Sequence, residues 1–218
     1  MNKVICGIAM SVDGFVAGPN MSEQKPFGDL PESFLQRGIP GDPEGLLHRW
    51  FSEEPEKHEA EIAELNSVAG AYIMGRNMYG PRGEKYDKTW KGWWGDDPPF
   101  HAPVFVLTHK SREPIRMEGG TTYTFIADGI KSALQQAQKS AGKKPVAISG
   151  GANVVNQYLA AGLIDELWLH IVPATIGKGQ RLFDNVPSLN MEPISCRGTE
   201  LVTHLKYKVM KSNIEHEV

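Results

Sequence analysis

The sequence predicts an α/β protein in which helices cover both faces of one mixed, mainly parallel central sheet, a three-layer α/β/α arrangement. Three observations lead there. Short apolar runs alternate with segments of helical spacing, two of those runs end in glycine directly before a helix start, and no repeat, low-complexity tract or Ser/Gly-rich linker divides the 218 residues. Strand and helix in alternation is the pattern of a parallel sheet with crossover helices. Without a linker, residues 1–218 read as a single domain.

The elements follow in order. Residues 3–10 are strand-like and break at Ser11-Val12-Asp13-Gly14, where Asp-Gly invites a turn. Residues 19–55 are rich in Gly, Pro and Asp and form a long covering loop with at most short helix. From Glu56, the spacing of Ile62, Leu65 and Ala69 predicts a helix, and strand 71–74 follows it. A second long loop, 79–103, carries Trp90, Trp93, Trp94, Asp96 and Asp97. Strands are expected at 103–107, 122–126, 146–148 and 167–172. Ile130, Ala133, Leu134, Ala137 and Ala141 mark a helix stopped by Gly142, and 201–210 alternates as a late antiparallel strand.

The most informative stretch is Ser149-Gly150-Gly151-Ala152-Asn153, a strand end passing into a helix. First-turn N–H groups lack helical partners and point outward, and residues without Cβ let an anion approach them. Such a turn suits a phosphate, although a plain tight turn explains a Gly-Gly pair equally well. Met74-Gly75-Arg76-Asn77 repeats the logic and adds a cation that can fork onto phosphate oxygens. Thr108-His109-Lys110-Ser111-Arg112 follows a third strand with three cations and two hydroxyls. Ligands of such sheets bind beyond the carboxyl ends of the strands, so one crevice could gather all three segments. The G-x-G-x-x-G fingerprint of the dinucleotide-binding Rossmann unit is absent.

Other patterns exclude or stay neutral. A formal net charge of −3 gives no field to attract polyanions, so nucleic acid is not an expected partner. No run approaches the roughly 18 apolar residues of a membrane span, and the start of the chain lacks a signal-peptide pattern. Cys6 and Cys196 show no metal or redox spacing and read as buried free thiols, which fits a cytoplasmic compartment. No His-Glu-x-x-His pair occurs, so no metal site is expected; His170 and His204 fall inside strands as structural residues, and Asp165-Glu166 opens a strand. The tryptophans of loop 79–103 suit either packing or a lid on which a flat ring stacks. Gly177-Lys178-Gly179 suits either a strand connection or a loop shaping a pocket.

Taken together, Ser11-Val12-Asp13-Gly14-Phe15-Val16-Ala17, Met74-Gly75-Arg76-Asn77-Met78-Tyr79, Val104-Phe105-Val106-Leu107-Thr108, Ser149-Gly150-Gly151, Ala161-Gly162-Leu163-Ile164-Asp165-Glu166-Leu167, Pro173 and Gly177-Lys178-Gly179-Gln180-Arg181-Leu182-Phe183 resemble the dihydrofolate reductase-like superfamily. The closer resemblance is to the C-terminal reductase domain of the riboflavin-biosynthesis deaminase-reductase, from Lys3 to about Met210. That resemblance implies an NADPH-binding fold and hydride transfer to a reducible carbon. It places pyrophosphate contacts at Gly75, Arg76 and Asn77 and at Gly150, Gly151, Ala152, Asn153 and Val154. Thr108, His109 and Lys110 would lie on the 2′-phosphate side, and Ala9, Val16 and Ala17 would flank the nicotinamide.

The departures bear on substrate. The zinc deaminase signature is missing, so a deaminase half is not expected within these residues. The helix that carries an acid in dihydrofolate reductases is rewritten within 19–55, where Asp29, Glu32, Asp42 and Glu44 are available. The expectation is an NADPH-dependent reductase acting on a small, planar, heterocyclic C=O or C=N substrate, pterin- or pyrimidine-like. Trp93, Trp94, Gly177 and Gly179 are its candidate substrate contacts, and a homodimer its expected assembly. The alternatives are an NADP-binding or interaction protein that keeps the fold without turnover, and a nucleotide-binding transferase.

Overall fold

The computed structural model describes residues 2–22, 25, 27–30, 60–80, 89–199 and 202–211. Glu32, Asp42, Glu44 and most of the 19–55 segment lie outside the described residues. The first apolar run is β1 (Val4–Ser11), and a turn at Gly14, φ 87°, returns the chain as β2 (Phe15–Ala17). Helix α1 (Ala60–Val68) leads into β3 (Ala71–Gly75) and a single helical turn, α2 (Arg76–Tyr79). Then come β4 (Pro103–Leu107), β5 (Ile115–Arg116), β6 (Thr122–Ile126) and α3 (Gly129–Ala141). β7 (Val146–Gly150), α4 (Ala152–Ala160), β8 (Glu166–Val172), β9 (Gln180–Arg181), β10 (Asn190–Gly198) and β11 (Thr203–Met210) complete the order.

Nine of these strands form one sheet, in the order β10-β11-β8-β1-β7-β3-β4-β6-β5, while β2 and β9 pair as a separate antiparallel ribbon. The six strands from β8 to β6 run parallel, and the antiparallel pairings lie at the margins, β8 with β11, β11 with β10 and β6 with β5. The mixed, mainly parallel sheet expected from the sequence is therefore present, with 203–210 antiparallel as expected.

Side-chain alternation along the strands sorts the core into two faces. Val4, Cys6, Ile8, Ile73, Phe105, Ile148 and Leu169 pack with the buried sides of α3 and α4. Ile5, Tyr72, Met74, Val104, Val106 and Trp168 pack on the other face beneath Leu65, Trp90, Trp94 and Phe100. Three layers result. Helix α3 sits where it does because Ala133, Leu134, Ala137 and Ala141 recur at helical spacing and are all buried, and Gly142 ends it at φ 63°. Tyr158 of α4 donates its hydroxyl to the Ile130 carbonyl at 2.7 Å, fixing α4 against α3.

His170 and His204 face each other across β8 and β11, buried, with Nδ1 atoms 2.8 Å apart, so one imidazole donates to the other. Asp165 and Glu166 do open a strand: Asp165 Oδ2 accepts the Val4 N–H at 2.8 Å and Glu166 meets Lys3 Nζ at 2.6 Å. One reading needs correction. Cys6 is buried, and burial pushes its thiol pKa up, but Cys196 is exposed because it lies on the outermost strand β10.

Candidate functional site

The parallel strands β1, β7, β3 and β4 are neighbours, so their carboxyl ends share one edge of the sheet. That edge brings together the Ser11 turn, Gly150-Gly151, Gly75 and Thr108. Neighbouring strands lie about 4.8 Å apart, so β7 to β4 spans about 10 Å, the reach of a pyrophosphate and a sugar.

Each glycine contributes differently. Gly150 has φ 119° and a Cβ there would meet Met78 Sδ at 3.3 Å. Gly151, joined to it by a cis peptide, has φ −70° and ψ −171°, and a Cβ on it would meet nothing within 4 Å. Gly75 is where the two turns touch: its Cβ would come within 2.9 Å of Val154 Cγ2 and 3.7 Å of the Gly151 nitrogen. Helix α4 starts at Gly151 with no side-chain cap, leaving the first-turn N–H groups of Ala152 and Asn153 without a helical carbonyl. Arg76 and Asn77 open α2 beside it, their side chains linked by a 3.3 Å hydrogen bond.

After β4, Thr108 N–H bonds the Ile126 carbonyl, and its hydroxyl and Lys110 close a small turn that leaves His109 and Lys110 exposed. Arg112 does not join them; its guanidinium lies over the Phe125 ring, 4.8 Å from the centroid. Ala9, on β1, pairs with His170 of β8, while Val16 and Ala17 stand on β2. These segments thus converge around the ends of β1, β7, β3 and β4.

The four substrate candidates fall into two separate groups. Trp93 meets Trp90 edge-on at 4.8 Å, and Trp90 Nε1 donates to the Tyr79 carbonyl; Trp94 meets Phe100 at 5.0 Å. Trp94 belongs to the aromatic layer over β3, β4 and β6, and Trp93 joins it through Trp90. Gly177 and Gly179 instead attach to β1 and β2. Gly177 donates its N–H to Asp13 Oδ2 at 2.7 Å, and Gly179, at φ 139°, lies against the backbone of Ala17 and Gly18.

Sequence reasoning passed over three residues here. Asp13 marks a turn in the sequence, and in the structure its carboxylate accepts the Ser11 hydroxyl at 2.5 Å and the N–H groups of Ile176 and Gly177 at 3.0 and 2.7 Å. Desolvation pushes its pKa up, but these hydrogen bonds outweigh it and hold the group below the ordinary aspartate range, so it is an anion throughout neutral pH. Asn156 and Arg181 are the others. They line a polar cavity of about 410 Å³ between the outer side of α4, with Asn153 and Gln157, and residues 179–185, with Asp184. Among the described residues no cluster of His, Cys, Asp or Glu could hold a metal ion, and no helix is long and apolar enough to cross a membrane.

Comparison with known proteins bears on the fold and the family. YyaP of Bacillus subtilis is 22% identical over 200 residues, covering 89% of this chain and 88% of that protein. The riboflavin biosynthesis reductase Rib7 of Saccharomyces cerevisiae superposes with a TM-score of 0.54 at 15% identity, over 97% of this chain and 90% of that one. Dihydrofolate reductase of Enterococcus faecalis, solved with NADP(H) and RAB-propyl, gives 0.52 at 13% identity, over 96% and 97%. The fold is that of dihydrofolate reductase. The RibD C-terminal domain matches residues 2–208, and the chain belongs to that family.

Proposed function

We propose that the protein is an NADPH-dependent reductase that delivers hydride to a small planar heterocycle, pterin- or pyrimidine-like, at a C=O or C=N carbon. The observation that carries this reading is the open turn at Gly151, at an uncapped helix start, flanked along one sheet edge by Gly75 and by Thr108-His109-Lys110. The residues fit the cofactor: no protein atom lies within 4 Å of a Cβ built at Gly151, so the helix start is open to a pyrophosphate, and family membership supports the same cofactor. Bound NADPH supplies the hydride. The chain's own part is to bind and orient. The N–H groups of Ala152 and Asn153 offer a helix start to the pyrophosphate, with Val154, whose own N–H bonds the Gly151 carbonyl, completing the turn and Arg76 as counter-charge, and Ala9, Val16 and Ala17 flank the nicotinamide with small apolar surface. Asp13 adjoins this segment but is ionised and engaged by two N–H groups, so it positions rather than protonates. A homodimer in the cytoplasm remains our expectation for the assembled protein.

His109 and Lys110 should set cofactor choice, because charge-assisted bonds to the 2′-phosphate have no counterpart in NADH. Replacing both by alanine should weaken NADPH binding roughly tenfold or more and leave NADH unchanged. Fluorescence titration with the two cofactors checks this; equal affinities in the wild-type protein would sink it. NADPH consumption across pterins and pyrimidines then separates an enzyme from a protein that binds NADP without turnover.

The tryptophans should divide in behaviour. Trp93→Ala is expected to raise substrate KM several-fold with NADPH affinity unchanged, the signature of lost uniform binding. Trp94→Ala, which removes the partner of Phe100, should cost about 2 kcal/mol of stability. Steady-state kinetics and calorimetry on both variants decide, and a Trp93 variant with wild-type KM would return loop 79–103 to a packing role.

A further inference from the structure

Residues 173–186 touch both sides of the proposed cofactor site. At one end the Asp13 carboxylate takes the N–H groups of Ile176 and Gly177. In the middle, β9 pairs with β2, and Leu182 N–H reaches the Gly14 carbonyl at 2.9 Å. At the other end buried Asn156 of α4 uses both halves of its amide: Nδ2 donates to the Arg181 carbonyl at 3.1 Å and Oδ1 accepts the Phe183 N–H at 2.8 Å. That contact accompanies a left-handed Phe183, φ 69°, a conformation a bulky residue adopts only when its surroundings impose it.

β2 lies outside the main sheet, and its strand partner is β9. β2 is held to β1 by Ser11, whose Oγ accepts the Phe15 N–H at 3.0 Å, and to α4 through the segment that both hold. We propose that Asp13 and Asn156 are positioning residues, and that 173–186 is a strap fixing the spacing between Val16-Ala17 and the start of α4. This rests on the reading that these two places receive the nicotinamide and pyrophosphate ends of the cofactor. A strap tied at both ends orders the site before the cofactor arrives, and the ordering cost is then not charged against binding. Releasing either tie loosens the same segment, which the β2–β9 pairing and the Leu182 N–H to Gly14 bond still hold in place, so the two residues act as one unit.

The test uses Asp13→Asn, Asn156→Ala and the double variant, first without cofactor. Amide hydrogen exchange should rise about tenfold at Phe183 in Asp13→Asn and at Gly177 in Asn156→Ala, far from each substitution, with core amides of β1 and β7 unchanged. NADPH affinity should fall about tenfold in each single variant and no further in the double. Exchange that rises only beside each substituted residue, or affinity losses that add, would overturn the strap. Wild-type protein that binds no NADPH while the remote exchange effects hold would overturn the cofactor reading instead. Should Asn156→Ala fail to fold, the Phe183 amide in Asp13→Asn alone decides.

Discussion

Replacing Gly151 by valine should abolish NADPH binding and leave the fold intact. Its φ of −70° is open to any side chain, and a Cβ built on it meets no protein atom within 4 Å. The new methyl groups would stand before the N–H groups of Ala152 and Asn153 and screen them from an anion. A loss of at least ~100-fold in affinity, about 2.8 kcal/mol, is expected. Melting should move by no more than a degree or two, roughly the effect of a neutral surface change. Calorimetry beside NADPH titration gives both numbers. A variant that melts early and binds NADPH normally when folded would make Gly151 a turn residue and nothing more. The adjacent Gly150 provides the contrast, since its φ of 119° admits side chains only with strain.

The second large effect is on stability. Gly179→Ala places a methyl group against the Ala17 carbonyl, with Gly18 backbone carbons at 2.8 Å, and does so at φ 139°. Neither backbone can yield without breaking the β2–β9 ribbon. Overpacking and backbone strain together should cost about 3 kcal/mol, which for a chain of this length lowers Tm by about 6–12 °C. Gly177→Ala, with open space around its Cβ direction, should cost about 1 kcal/mol, the left-handed penalty alone. Thermal unfolding of the two variants side by side checks the difference, and equal melting points would mean that Gly179 is not confined by Ala17 and Gly18.

What could be read from the sequence was whatever a local pattern encodes. Gly75, Thr108 and Gly150 each follow an apolar strand, and knowing that strands are parallel is enough to put their ends on one edge. The backbone N–H partners of Asp13 lie 163 and 164 residues away, so Asp-Gly announces a turn and says nothing of what the carboxylate holds beyond Ser11. Asn156 is masked in the same way, one polar residue in a helix whose neighbours Val154, Val155, Tyr158 and Leu159 are all buried. Short strands such as β2, β5 and β9 carry too few residues for a period to register. β10 carries no apolar alternation because nearly every residue on it is exposed. The split between the Trp93-Trp94 layer and the Gly177-Gly179 turn depends on strand order, which no spacing reveals.

The same strand order decides how this sheet ends. At one margin β5 has only two residues, too few to template another chain. At the other, β10 is nine residues long, but Pro193 has no N–H to offer and the register shifts between Pro193 and Ser195. A foreign strand laid alongside would lose its ladder halfway. Lateral growth into fibres is thereby discouraged at both margins, and Cys196 can be exposed on β10 without that strand becoming a sticky flank. It follows that two copies of the chain are expected to meet through side chains on a face or through loops, and not by extending one sheet into the next.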